Sequence, residues 1–271
     1  MAAAIREAAA RLAGSSETPR LDAELLMAHA LGVSREALLL GAGGDAVPAG
    51  FAALVARRAG GEPLAYITGR RAFWTIELAV APGVLIPRPD SETLIEAAVA
   101  RFGAAGPARV IDLGTGSGAL LLAALDEWPE ATGMGVDRSD AALAIAAANA
   151  ARLGLADRAA FRAGDWADGV AERFDLILCN PPYIETDAVL PRDVAEHEPA
   201  GALFAGPEGL DDYRRLAPQI ARLLAPGGLG CIEIGATQAA AVTAIMAAQG
   251  LATAVHPDLA GHDRCVTVET R

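Results

Sequence analysis

The chain is predicted to be an α/β protein with a mostly parallel sheet, preceded by a small all-helical domain and a β-hairpin linker. Three observations carry that prediction. From residue 109 onward, short apolar runs alternate with helical patterns, which is how a parallel sheet covered by helices on both faces reads. A glycine-rich turn, Gly114 to Gly118, joins the first of these runs to the helix after it. Residues 1 to about 68 show helical signals alone, and between residues 70 and 86 the period changes to that of strands.

In the first segment, Thr18-Pro19 predicts a capped helix running to Leu31, with Gly32 as its stop. Leu21, Leu25 and Ala28 are expected on its apolar face, with Arg20 and Glu24 toward the other. Ser34 is expected to cap a short helix through Leu40, and Pro48 to open another through Arg58. This module is either a scaffold or a docking surface for a macromolecular substrate. Phe73 to Val80 then reads as a strand, Ala81-Pro82-Gly83 as a turn and Val84 to Ile86 as the returning strand. Pro87-Arg88-Pro89 fixes an extended path into a helix, with Asp90 as cap and Ser91 and Glu92 in the first turn. That path is either a rigid linker or a loop over a ligand, with Arg88 or Glu92 reaching in.

The alternating region follows. Strands are expected at 109–113, 131–136, 159–163, 174–179 and 229–234, with closing strands at 251–255 and 265–269. Helices are expected at 117–127, 139–153, 210–224 and 237–249, the third stopped by Pro226-Gly227-Gly228. The connection between 179 and 210 is expected to be long.

Composition narrows the function. With 271 residues and 53% hydrophobic residues, the chain has length and apolar content for a sizeable core. Lysine is absent, and 22 arginines face 34 acidic residues, a net charge of -12. Such a balance gives no general attraction to nucleic acid, whose phosphates dominate affinity. Cys179, Cys231 and Cys265 sit in strand-like apolar runs and read as small buried hydrophobes. No Cys-x-x-Cys or His cluster occurs, so no metal site is expected. The N-terminus lacks signal-peptide order and no run of 18 uncharged apolar residues occurs, so a cytoplasmic protein without membrane association is expected.

Two motifs carry chemistry. Gly114, Thr115, Gly116, Ser117 and Gly118 form a turn whose backbone a ligand can approach, and Asp137 ends the second strand, placed to accept both ribose hydroxyls of an adenosine-containing cofactor. Gly114, Gly116 and Ala119 also satisfy the loose dinucleotide pattern, so NAD and S-adenosylmethionine both remain open at this point. Asp137 is otherwise a helix cap. Trp166 follows the third strand, where an indole either stacks on adenine or is simply buried.

The second motif, Asn180-Pro181-Pro182-Tyr183, ends the fourth strand, since neither proline can donate to a ladder. It separates the two cofactors. Hydride transfer has no use for it, whereas methyl transfer to a weakly nucleophilic planar nitrogen does. If the Asn180 side-chain oxygen and the Pro181 carbonyl each accept an N–H, the nitrogen is oriented and made electron-rich, facing a sulfonium methyl. Tyr183 can pack on the flat group. The acceptor is a side-chain amide or the exocyclic amine of a flipped base, and a non-catalytic cofactor-binding adaptor is the remaining alternative.

With these motifs in this order, the chain resembles Rossmann-like class I S-adenosylmethionine methyltransferases. Pro19 to Leu26, Glu62 to Ile67, Leu85 to Asp90, Glu198-Pro199, Gly209-Leu210, Tyr213 and Glu233-Ile234-Gly235 make it similar to one family within them, PrmC/HemK, the release factor glutamine methyltransferases. Ser91 stands where threonine is common. The resemblance implies methyl transfer to the glutamine side-chain nitrogen in the Gly-Gly-Gln motif of class-1 peptide-chain release factors. It implies that Gly114 to Gly118, Asp137, Trp166 and Asn180 hold the cofactor, and that Asn180 to Tyr183 hold the glutamine. It also implies domains at 1–69 (substrate docking), 70–86 (linker) and 87–271 (methyl transfer), with no stable nucleic-acid binding.

Overall fold

The computed structural model describes residues 1–44 and 46–270, which divide into two units: Met1–Arg70 with Leu190–His197, and Arg71–Val189 with Glu198–Arg271. In the first unit lie helices α1 (Ala2–Leu12), α2 (Pro19–Leu31), α3 (Arg35–Leu39), α4 (Phe51–Ala59) and α5 (Leu64–Thr68). The later stretch adds one short helix, Arg192–His197, inside what the sequence suggested was a plain connection. Ile5, Leu12, Leu26, Met27, Phe51, Val55 and Ile67 form its core.

Helix α2 starts at Pro19 and ends at Gly32 in the left-handed conformation, as expected, yet two local expectations fail. Thr18 does not cap it, because the Thr18 hydroxyl donates to Asp22 Oδ1 at 3.2 Å instead. The buried face holds Ala23, Leu26 and Met27 together with Asp22 and Glu24, while Leu21 is exposed. Arginines explain the inversion. Arg58 Nε donates to Asp22 Oδ2 at 2.7 Å, and Glu24 receives Arg20 and Arg35, which hold its carboxyl below the usual range despite opposition from burial. Ser34 caps α3 through Ala37 N, as expected. Helix α4 begins at Phe51 rather than Pro48, whose carbonyl accepts the Phe51 N–H in a preceding turn.

The second unit opens on a hairpin, which lies earlier than expected. Strands β1 (Arg70–Phe73) and β2 (Ile76–Ala79) are joined by Trp74-Thr75 alone, and 84–86 is not a strand. Two residues can join only antiparallel strands, through a turn that requires positive φ. Trp74 supplies it at φ 53°, held by its N–H to Glu92 Oε1 at 2.9 Å and its indole N–H to Glu127 Oε2 at 3.0 Å. Asp90 does not cap the next helix. Pro89–Ser91 form a 3-10 turn ahead of α6 (Glu92–Phe102), and Asp90 faces Arg264 at 3.4 Å.

Beyond α6 the predicted alternation is observed: β3 (Arg109–Leu113), α7 (Ala119–Glu127), β4 (Thr132–Asp137), α8 (Asp140–Arg152), β5 (Ala159–Ala163) and β6 (Phe174–Cys179). With the Arg192–His197 helix counted as α9, there follow α10 (Asp211–Leu223), β7 (Leu224–Glu233), α11 (Ala239–Ala247), β8 (Leu251–Pro257) and β9 (Asp263–Thr270). Pro226-Gly227-Gly228 therefore lies within the span of β7, at a register shift against Phe174 and Leu176, rather than outside the sheet. The seven-stranded sheet has the order β5-β4-β3-β6-β7-β9-β8, parallel except for β9, which is antiparallel to both neighbours. Its two faces are buried separately. Val110, Leu176 and Leu178 pack under α6 and α7, while Ile111, Leu113, Ile177 and Cys179 pack under α10 and α11. That double burial is why β6 reads as a continuous apolar run. Strand β4 carries Gly133 and Gly135, where a Cβ would lie 2.4 Å from Leu121 and 2.8 Å from Thr115 Oγ1, so helix and loop press directly on the strand.

Among the ion pairs described in the first unit, Asp22–Arg58 matters most for stability, because both residues are buried, at 5% and 8% exposure. An exposed pair contributes about 0–1 kcal/mol, whereas removing one partner of a buried pair costs about 3–5 kcal/mol. Asp22→Ala is expected to lower unfolding stability in urea by that larger amount, and Arg192→Ala by less than about 1 kcal/mol.

Candidate active site

Strands β3 and β6 are neighbours, but β3 continues through α7 to β4 on one side and β6 continues toward β7 on the other. A crevice opens at the carboxyl ends of two strands whose connections diverge. Here it is a cleft enclosing about 870 Å³ of space including its open mouth. Gly114 and Gly116 come from the end of β3, Asp137 from β4, Trp166 from beyond β5, and Asn180 and Pro182 from β6.

The glycine turn is shaped by its own hydrogen bonds. Gly114 N and Thr115 N both donate to the Val136 carbonyl, at 2.8 and 3.0 Å. Gly114 has φ 78°, and a Cβ there would lie 3.0 Å from the Trp166 ring, so glycine is required twice over. Thr115 and Ser117 are buried and do not line the cleft. The Thr115 hydroxyl donates to Asp112 Oδ2 at 2.7 Å, the Ser117 carbonyl accepts from Asn149, and Gly118 abuts Leu122 and Ala146. These three support the turn from behind. Asp112 holds the first of them. Burial raises its carboxyl to about 7 against the hydrogen bonds from Thr115 and Leu121 N, with Asp137 adding to the rise, and Asp112 Oδ1 has no partner among the described residues.

Asp137 is not the cap of α8; Ser139 is, accepting from Ala142 N at 3.2 Å. The Asp137 carboxylate instead takes Gly116 N on Oδ2 and Ser139 N on Oδ1, each at 2.9 Å. Each oxygen keeps a further lone pair for a ribose diol. Trp166, at φ 54°, is half-buried on the cleft wall with its indole N–H on Asp212 Oδ1 at 3.2 Å, which fixes the ring plane. An adenosyl group therefore fits this donor and acceptor set. Arg138 spans the mouth, donating to the Gly201 carbonyl at 2.5 Å.

Asn180 ends β6 on the cleft, and its Nδ2 donates to Ser91 Oγ at 3.1 Å. Its Oδ1 and the Pro181 carbonyl accept no hydrogen bond from the described residues. Pro181 and Tyr183 do not line the cleft with Asn180 and Pro182; the Tyr183 hydroxyl donates to Glu233 Oε1 at 3.2 Å, and Gln238 Nε2 holds the Tyr183 carbonyl at 3.0 Å. Burial raises the Tyr183 phenol well above its ordinary value, with the Glu233 charge as the next cause. Glu233 is 1% exposed and is pushed up to about 7, chiefly by burial, against the stabilising Ser91 hydroxyl and the charge of Arg264. Arg88 and Glu92 do not line the cleft: Arg88 pairs with Glu198 at 2.5 Å, and Glu92 holds Trp74. Sequence reasoning passed over Ser91, Asp112, Arg138 and Asp212 as working residues. Asp112 and Glu233 carried a signal, each as an acid inside an apolar strand.

The sheet order with its one reversed strand, the glycine turn, the acid ending β4 and the Asn-Pro-Pro-Tyr turn define a class I methyltransferase dependent on S-adenosylmethionine. Residues 3–69 match the PrmC N-terminal domain and residues 106–261 a methyltransferase domain. The release factor glutamine methyltransferase of Rhodospirillum rubrum is 44% identical over 94% of this chain and 80% of its own. That of Cereibacter sphaeroides is 45% identical over 97% of this chain and 96% of its own. A methyltransferase structure from Pyrococcus furiosus shares the fold at a TM-score of 0.55, with 16% identity over 73% of this chain and 89% of its own. The chain belongs to the release factor glutamine methyltransferase family.

Asp137→Ala is expected to raise the Michaelis constant for S-adenosylmethionine about tenfold or more in steady-state kinetics, since it removes the carboxylate placed for a ribose diol and frees Gly116 N together. The raised carboxyls of Asp112 and Glu233 make a second prediction. Their folded forms hold protons that the unfolded chain releases near 3.8 and 4.5, so their stabilising contribution is full below those values and is lost as pH rises through about 7. The fall in melting temperature between pH 5 and pH 8 is expected to be smaller in Glu233→Gln than in the parent chain.

Proposed function

We propose that this protein transfers a methyl group from S-adenosylmethionine to the side-chain amide nitrogen of the glutamine in the Gly-Gly-Gln motif of class-1 peptide-chain release factors. One observation carries the reading: Asn180 Oδ1 and the Pro181 carbonyl, on consecutive residues where β6 ends, are acceptors that nothing in the described protein claims. A primary amide nitrogen brings two N–H groups, and two acceptors match it. Together they orient the nitrogen and draw its protons away from its lone pair, which is otherwise delocalised into the carbonyl. Pro182, which lines the cleft, offers a stiff wall for the amide plane, and Tyr183 is held beside it by Glu233 and Gln238. Gly114, Gly116, Asp137 and Trp166 would hold the cofactor, which supplies an electrophilic sulfonium-bound methyl when bound.

The Rhodospirillum rubrum and Cereibacter sphaeroides relatives support the acceptor, because both are release factor glutamine methyltransferases. The charge supports it too: at -12 with no lysine, the protein has little to offer a nucleic-acid backbone. No described helix is long and apolar enough to cross a membrane. Release factors work at the ribosome, so this reading places the protein in the cytoplasm. Residues 1–69 would then serve as the docking domain, joined through 70–86 to the transferring domain at 87–271.

Incubation with labelled S-adenosylmethionine and a class-1 release factor should put label on the glutamine, located by mass spectrometry of the Gly-Gly-Gln peptide. Label appearing in nucleic acid alone would sink the proposal. Asn180→Ala is expected to lower kcat by roughly 10²-fold or more, the cost of removing one positioned polar group, while cofactor affinity changes less.

A further inference from the structure

Two glycines of the sequence motifs, Gly209 and Gly235, do not line the cleft. Gly209 has φ 66°, and a Cβ there would collide with the Tyr183 carbonyl oxygen and lie 2.8 Å from Gln238 Nε2. A Cβ on Gly235 would lie 3.0 Å from Gln238 Oε1 and 3.4 Å from Tyr183 Cδ2. Both glycines therefore make room for the same pair, Gln238 and Tyr183.

Gln238 stands at the N-cap of α11, where Ser, Thr, Asp or Asn is preferred, and its side chain makes no capping bond to that helix. It reaches back instead. Oε1 accepts Gly235 N at 3.0 Å, and Nε2 donates to the Tyr183 carbonyl at 3.0 Å and to the Gly209 carbonyl at 3.3 Å. A backbone N–H only donates and a carbonyl only accepts, so these three partners admit one orientation of the amide. One side chain thus joins the segments that follow β6 and β7 to the one that precedes α10.

The turn after β6 has little else to hold its backbone. Pro181 and Pro182 have no N–H, and among the described residues only the Tyr183 carbonyl, of the backbone groups of Pro181 to Tyr183, has a hydrogen-bond partner. The two open acceptors, Asn180 Oδ1 and the Pro181 carbonyl, lie on this same turn. We infer that Gln238 is a positioning residue for methyl transfer: it pins the Tyr183 end of the turn and so sets where those two acceptors point. This rests on the reading of Asn180 and Pro181 given above and adds to it the residue that holds them. A misplacement of about 1 Å can cost about 10²-fold in rate.

The test measures methylation of a release factor by the parent chain, Gln238→Glu and Gln238→Met, together with the affinity of each for S-adenosylhomocysteine. Glutamate keeps an oxygen for Gly235 N and loses both donors, while methionine keeps the length and loses both ends. Each is expected to lower kcat about tenfold or more, with the Michaelis constant for S-adenosylmethionine and the affinity for S-adenosylhomocysteine within about twofold of the parent. Added to Asn180→Ala, Gln238→Glu is expected to cost less than about threefold, because one of the acceptors it places is gone. Should either variant fail to fold, Gly209→Ala displaces the same carbonyl from its other side and is expected to show the same split. A parent-like kcat in either variant, a loss of cofactor affinity as large as the fall in kcat, or an equal loss in both Asn180 backgrounds would overturn the inference while leaving Asn180 in place. Transfer by the parent chain to nucleic acid alone would instead remove the reading on which it rests.

Discussion

The acceptor side of this site depends on a carboxylate buried without a cation in direct contact. Glu233 sits at the end of β7, 1% exposed, and Arg264 acts on it only through space. Removing such a group from water costs several kcal/mol, and hydroxyls together with the charge of Arg264 offset part of that. The Tyr183 hydroxyl donates to it, the Ser91 hydroxyl favours its charged form, and the neighbouring Tyr213 donates to its backbone carbonyl at 2.9 Å. Three chain segments far apart in sequence are thereby gathered onto one strand end.

The cofactor side is organised differently. There the backbone does most of the work: Gly114 and Thr115 share the Val136 carbonyl, Gly116 is tied to Asp137, and Asp112 anchors the turn from below. Adjacent strands with diverging connections bring the two halves together. Because β3 and β6 are in register, Leu113 beside Cys179, the glycine turn and Asn180 leave the sheet at the same level. The sheet thus sets the spacing, and the local networks set the angles.

How much of this was legible varied with the range of the interaction. Strands 109–113, 159–163 and 174–179 were read to the residue; in the first and third both faces of the sheet are buried and the apolar runs end abruptly, whereas 159–163 is an edge strand with no buried residue. Gly114, Gly116, Asp137, Trp166 and Asn180 were legible because each stands at a strand end, and the structure gathers all five on one cleft. What failed was decided by distant partners. Glu24 looked solvated until Arg35 arrived, and Asp90 looked like a cap until Arg264 did. The hairpin turn fell on Trp74 rather than Pro82-Gly83 because Glu92 and Glu127 hold a tryptophan in a backbone conformation that sequence rules reserve for glycine. Ser91 was noticed only as a first-turn residue and a departure from threonine, its contact with Asn180 being invisible in one dimension.

The two glycines of β4 have a consequence for how this protein can change over generations. At Gly133 and Gly135 even a single methyl group would meet Leu121, or Thr115 and Phe161, at distances that atoms do not adopt. Those neighbours are themselves fixed, Leu121 by the core under α7 and Thr115 by its bond to Asp112. An inherited substitution at either position would need a second, compensating one to arrive with it. Descent with single changes is therefore hindered at these two positions, while the exposed stretch from Glu185 to Val189 stands open to drift.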